Sequence, residues 1–332
     1  MVAGGTVRTR CYREGQLYRE GFPIEDVSEY LRDPANTLWF DLCPVSEQAL
    51  AMVRDELSLH ELAVEDVLDT GQRPKVDHYA EHLFIAAYSI EFDPSTDRLR
   101  WHEIGIFVTK QAVVTVRAEK GFDIDAVVRR WDNNPSIAAS GPGFLLHGIL
   151  DYIVDTHLDA VQTMDEELDE LDDDLFDDSG WRPASEAARQ RRMFDMRKSL
   201  VTLRRLVLPM REVVNTLMRR DVDIVDAQTM PYYQDVYDHV LRAAEWADSL
   251  RDLLANIVET RLTMRSNRLN VVMKQVTSWA AIIAVPTAVT SYYGQNIPFP
   301  GFGEPWGFWT SAMIMVTLGV VLYVAFRRKG WL

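Results

Sequence analysis

The chain has 332 residues, room for one or two domains, and carries 50 acidic against 35 basic side chains for a net charge of −15. That balance speaks against nucleic acid as a partner and suits cations. Two cysteines, Cys11 and Cys43, are too few for a disulfide framework and match a cytoplasmic setting.

Residues 1–145 read as a cytoplasmic α/β domain. Residues 37–42 (TLWFDL), 82–92 (HLFIAAYSIEF) and 104–116 (IGIFVTKQAVVTV) are β-rich, with the turn DPSTD after the second run. Residues 46–57 and 59–68 place apolar side chains at helical spacing. Strands and helices mix without regular βαβ alternation, which predicts a mixed or antiparallel sheet covered by helices. The opening MVAGGTVRTRCYREG has no apolar signal-peptide core, so membrane insertion is expected to depend on the C-terminal end.

The breaker-rich stretch 133–143 (NNPSIAASGPG) marks a boundary. Residues 146–270 then read as a cytoplasmic helical region. Residues 151–178 are rich in acids and lack Lys and Arg, with an apolar stripe at Met164, Leu168, Leu171 and Leu175. After the turn at 179–183, residues 184–220 are basic. An acidic and a basic helix joined by a tight turn predict an antiparallel hairpin, packed by its apolar stripe and set in register by its charges. The acidic run 165–178 reads as solvated surface. From 232 to 274 no Gly or Pro interrupts the helical pattern. Continued to residue 291, this helix has about 60 residues and a length of roughly 90 Å.

Residues 271–332 read as a transmembrane hairpin with a basic tail. No charged side chain occurs from 275 to 303, nor from 305 to 326. A span needs about 20 mostly apolar residues, and two are predicted, near 273–292 and 306–326. The short loop 294–304 joins them. Arg261, Arg265, Arg268 and Lys274 flank the first span, and Arg327, Arg328 and Lys329 flank the second. The loop has neither Lys nor Arg, so the positive-inside rule puts both termini in the cytoplasm. Tyr292, Tyr293, Trp306 and Trp309 stand where an interfacial aromatic belt is expected. The protein is thus expected to be a multi-pass protein of the cell membrane.

On a helical wheel, Asn270, Met273, Thr277, Ala281, Ala284, Ala288 and Ser291 share one face of the first span. Such a small, weakly polar stripe has two readings. One is close helix packing. The other is the wall of a pore built by several copies.

The first span ends in Tyr293-Gly294-Gln295-Asn296. This sequence resembles the CorA family of divalent-cation channels, whose signature at that place is Tyr-Gly-Met-Asn. Residues 57–85 (LSLHELAVEDVLDTGQRPKVDHYAEHLFI), 203–214, 231–254, 267–287 and the basic end with Trp331-Leu332 are similar to other stretches of the family. The resemblance implies a homopentamer with a cytoplasmic funnel, whose first spans line the pore and whose Asn296 residues ring its mouth. It implies transport of magnesium, with cobalt or nickel also passing. It further implies regulation by cytoplasmic magnesium, with no organic cofactor. Asn270 and Met273 match the family's inner constriction. Glu65, Asp66 and Asp235 match acids that face one another across subunits, and Asp155 is a looser match. Paired carboxylates repel when empty and are bridged by a divalent ion.

Gln295 departs from the signature, and the ZntB-like zinc branch departs there too, so zinc transport is the alternative within the family. A membrane-anchored scaffold without ion flux is the alternative of another class. An enzyme is not expected, because no phosphate-cradling glycine loop, metalloprotease His pair or nucleophile elbow occurs and the seven histidines are scattered.

Overall fold

The computed structural model describes residues 6–134, 140–173, 183–219, 224–295 and 298–332. The chain forms two compact units, residues 1–255 and 256–332.

The first unit is built on a seven-stranded sheet. Its strands are β1 (Thr6–Arg13), β2 (Gln16–Glu20), β3 (Asn36–Cys43), β4 (Lys75–His78), β5 (Leu83–Asp93), β6 (Arg98–Val108) and β7 (Ala112–Arg117), in the order β2-β1-β3-β7-β6-β5-β4. Only the β3–β7 pair is parallel. The sheet is therefore mixed, as expected. β7 is buried at every residue and β2 is exposed at every residue, as suits a central and an edge strand.

Period-two alternation sends side chains to two faces. Leu38, Phe40, Phe84, Phe107 and Val114 face one core with Leu50, Val53 and Ala63. Those helical residues come from α2 (Glu47–Leu57) and α3 (Glu61–Leu68), which follow the short α1 (Val27–Tyr30). Ser46 caps α2 by accepting from the Ala49 amide. Trp39, Ile85, Ile104, Ile106 and Val113 face the other core. There they meet α4 (Ile124–Asp132), α5 (Pro142–Asp173), α6 (Pro183–Leu217) and α7 (Met230–Tyr293). The sheet thus lies between two helical layers.

Residues 104–116 are not one strand. β6 starts earlier, at Arg98, and the chain turns at 109–111 into β7. Thr109 stabilises the turn, its hydroxyl accepting from the Ala112 amide at 2.9 Å. α5 comes close to Trp131 at Gly148, where a Cβ would stand 2.4 Å from the indole nitrogen.

The long helices carry a seam with coiled-coil spacing. On α6 the seam runs through Met196, Leu200, Leu203, Val207, Met210, Val214 and Leu217, with Met193, Leu206 and Val213 also buried. On α7 they are Tyr233, Val236, Val240, Ala243, Ala247, Leu250, Leu254 and Ile257. Steps of three and four repeat without a slip, the pattern of knobs into holes. Met164, Leu168 and Leu171 of α5 are buried as expected, while Leu175 and the turn at 179–182 lie outside the described residues. Arg192 of α6 pairs with Glu167 of α5 and with Asp97 of the β5–β6 turn.

α7 is one helix of 64 residues and runs through the residues expected for the first span. The seam ends at Ile257, close to where the second unit begins. Beyond it Leu262, Leu269, Val272 and Val276 are exposed. α8 (Pro305–Arg328) follows the loop. Both helices are long and apolar enough to cross a membrane.

Candidate functional site

Two sets of candidate residues were expected, and each falls within one unit. In the second unit the stripe lies on an unbroken helix. Asn270, Met273, Thr277, Ala284, Ala288 and Ser291 are exposed, and Ala281 is half-buried. Pro286 lacks an amide hydrogen and removes one rung of the ladder. Nearby hydroxyls bond back to the helix. Thr290 donates to the Pro286 carbonyl at 2.8 Å and Thr287 to the Ile283 carbonyl at 3.2 Å.

The helix closes at Tyr293. The Gly294 amide donates to the Thr290 carbonyl at 2.8 Å, and a Cβ at Gly294 would also stand 2.8 Å from that oxygen. Glycine is therefore what the tight exit allows. Tyr293 packs edge-on against Phe299 at 5.0 Å, and Phe299 against Phe302 at 5.2 Å. These rings hold the returning loop to the helix end. Gln295 is exposed. Asn296 lies outside the described residues.

The first unit holds the acids. Asp66, on α3, is engaged on both oxygens. Gln72 donates to one at 2.9 Å and Lys75 to the other at 2.6 Å. Those hydrogen bonds, that of Lys75 first, hold its pKa below the ordinary carboxylate value. Glu65 is exposed. Asp155 accepts from Arg130 at 2.6 Å, and the same guanidinium reaches Asp151, one turn earlier on α5, at 2.5 Å.

Asp235 stands elsewhere than with Glu65 and Asp66. Its carboxylate, that of Asp151 and a ring nitrogen of His239 all lie within 4.8 Å of one another. Asp235 is largely exposed, with its Oδ1 4.0 Å from His239 Nε2. His147, one turn before Asp151, stacks on Phe144 and meets Tyr232 and Tyr233 edge-on. Burial pushes the His147 pKa down and the Asp151 pKa up, while their mutual attraction works against both shifts. Two carboxylates and an imidazole suit a divalent cation, and the nitrogen favours cobalt, nickel or zinc over magnesium.

Asp151 and His239 were not among the expected ligands. His239 was within reach of a sequence reading, since it stands four residues after Asp235 and hence on the same helical face. Asp151 was not, because its approach to Asp235 depends on how α5 packs against α7.

The chain combines an α/β unit with two helices long and apolar enough to cross a membrane, the first of them the end of one unbroken 64-residue helix. Residues 34–328 match the family described as CorA-like Mg2+ transporter protein. The chain belongs to that family, whose members transport divalent cations. It is 28% identical to the cobalt/magnesium transport protein CorA of Thermotoga maritima, over 99% of this chain and 96% of that protein. It is 23% identical to the zinc transport protein ZntB of Yersinia pseudotuberculosis, over 89% of this chain and 88% of that protein. The solved CorA magnesium transporter of Methanocaldococcus jannaschii shares its fold, with a TM-score of 0.78 at 21% identity and full coverage of both chains.

Proposed function

We propose that the chain is a magnesium channel that works as a homopentamer and is closed by divalent ions bound to its cytoplasmic domain. The observation that carries this reading is the exposed stripe on α7. Among the described residues Asn270, Thr277, Ala284, Ala288 and Ser291 are exposed, and they continue one helical face toward the Tyr-Gly-Gln-Asn loop. A two-span monomer cannot enclose a pore, so these faces line one only when several copies meet. In this arrangement five Asn296 amides ring the outer mouth. Neutral amide oxygens hydrogen-bond to the waters that magnesium gives up reluctantly, and they hold the ion loosely enough to release it. Both termini lie in the cytoplasm, and membrane potential draws cations inward at about 2.3 kcal/mol per charge per 100 mV.

Zinc transport is the second reading. It is favoured by Gln295, which departs from the family methionine, and by the ZntB relative. Flux into liposomes holding the purified protein separates the readings. Magnesium uptake is expected, and Asn296→Ala is expected to abolish it. Zinc uptake without magnesium uptake would move the protein to the zinc branch. No flux of either ion from a well-formed oligomer would favour a scaffold.

The gating sites are proposed at Asp151, Asp235 and His239, with Glu65, Asp66 and Asp155 as further ligands where subunits meet. Divalent ion at a hundred times its dissociation constant is expected to stabilise the folded chain by about 2.7 kcal/mol. Asp235→Asn combined with His239→Gln removes two ligands on the surface of α7 and is expected to abolish most of that gain. Thermal melts with magnesium or cobalt measure it, and an unchanged metal-dependent shift would remove these residues from the site.

A further inference from the structure

The first unit contains a groove of about 340 Å³ that the transport reading does not use. Its floor is Leu200, Val201, Leu208 and Pro209 of α6. Its rim is four arginines: Arg73 from the turn before β4, Arg204 and Arg205 from α6, and Arg251 from α7.

Two of these charges are matched. Arg204 donates to Asp248 at 2.7 Å, and Arg251 pairs with Asp252 at 2.8 Å. Arg73 and Arg205 make no hydrogen bond or ion pair among the described residues. The groove is thus locally cationic in a chain whose net charge is −15. Its floor is unusual as well. Val201 is 59% and Leu208 43% exposed, so the apolar surface between the arginines is uncovered.

We propose that this groove binds a nucleoside phosphate. Arginine guanidinium groups match phosphate oxygens two at a time, and Arg73 and Arg205 are free to do so. The aliphatic floor offers a flat apolar face to a base. The volume falls in the range of small-molecule sites and is too small for a folded partner. Inorganic phosphate alone would leave the floor uncovered.

The test is direct titration of the full-length protein in detergent with ATP, orthophosphate or adenosine. EDTA is present throughout, so that metal chelation by ATP cannot mimic an effect. ATP is expected to bind saturably, orthophosphate about tenfold or more weaker, and adenosine weaker still, with ATP affinity falling as salt rises. Arg73→Ala with Arg205→Ala is expected to weaken ATP by about tenfold or more while leaving the melting curve unchanged, since both side chains are exposed and unpaired. Equal ATP binding by wild type and variant would overturn the proposal, as would no saturable binding at low salt. Equal affinity for ATP and orthophosphate would overturn the assignment of the apolar floor. A groove filled by the acidic residues 165–173 of a second copy would also overturn it. That arrangement would appear as disulfide cross-linking between Arg205→Cys and Glu166→Cys chains.

Discussion

Replacing Arg117 by alanine is expected to cost the fold about 3–5 kcal/mol, a large fraction of the stability of an ordinary domain. Arg117 and Asp41 are 5% and 1% exposed. They meet two bonds at a time, Nε to Oδ1 at 2.9 Å and Nη2 to Oδ2 at 2.6 Å. The remaining polar atoms are also satisfied. Arg117 Nη1 donates to the Phe122 carbonyl at 2.8 Å, and the Thr115 hydroxyl donates to Asp41 at 2.8 Å. The pair stitches β3 to β7, the one parallel junction of the sheet. Removing the guanidinium leaves a buried carboxylate with its main partner gone. Removing both charges, as in Asp41→Leu with Arg117→Met, is expected to cost less than either single loss, because no charge is stranded. Urea unfolding followed by tryptophan fluorescence measures both. A loss of less than about 1 kcal/mol in Arg117→Ala would mean that water reaches the pair.

Acid is expected to weaken the first unit through His157. This histidine is fully buried on α5, and its Nε2 lies 2.7 Å from the Tyr88 carbonyl. Burial pushes its pKa down from 6.5 to about 4. An unfolded chain therefore takes up this proton at a higher pH than the folded chain does. The stabilisation is complete above about pH 6.5 and is lost as pH falls through about 4, with a total of about 3 kcal/mol. Other groups titrate in the same window, so the measurement is a difference. His157→Gln can still donate to Tyr88 but carries no titrating ring. Its stability is expected to fall less steeply than that of the wild type between pH 6.5 and 4. Parallel curves would show that His157 is not held neutral by burial.

The resemblance to a channel family was legible at the C-terminal end because its signals are local. A charge-free run, flanking arginines and a four-residue loop are each read from neighbours in the chain. The same holds for α7, where no Gly or Pro interrupts the helical pattern from 232 to 274. Elements weaker in local signal went unread. β1 interleaves Arg8 and Arg10 with Thr9 and Cys11, and only its neighbours show why arginines are tolerated there, since Arg10 is held by Asp132 and Glu20. The β-rich run 104–116 divides into β6 and β7 at a turn that no strong local breaker marks, where the Thr109 hydroxyl accepts from the Ala112 amide.

The sequence by itself determined the family resemblance, the long helix, the two stretches long and apolar enough to cross a membrane, and the stripe of small residues. It could not pair side chains that lie far apart in the chain. No local pattern announces that Lys75 and Gln72 donate to Asp66, or that Arg130 of α4 donates to Asp155. Asp235 and His239 share a helical face by spacing alone, but Asp151 joins them only because α5 lies beside α7. Periodicity is a property of one helix or strand and survives in the linear chain. The charge around a carboxylate is set by whichever elements pack against it, and only tertiary structure supplies those.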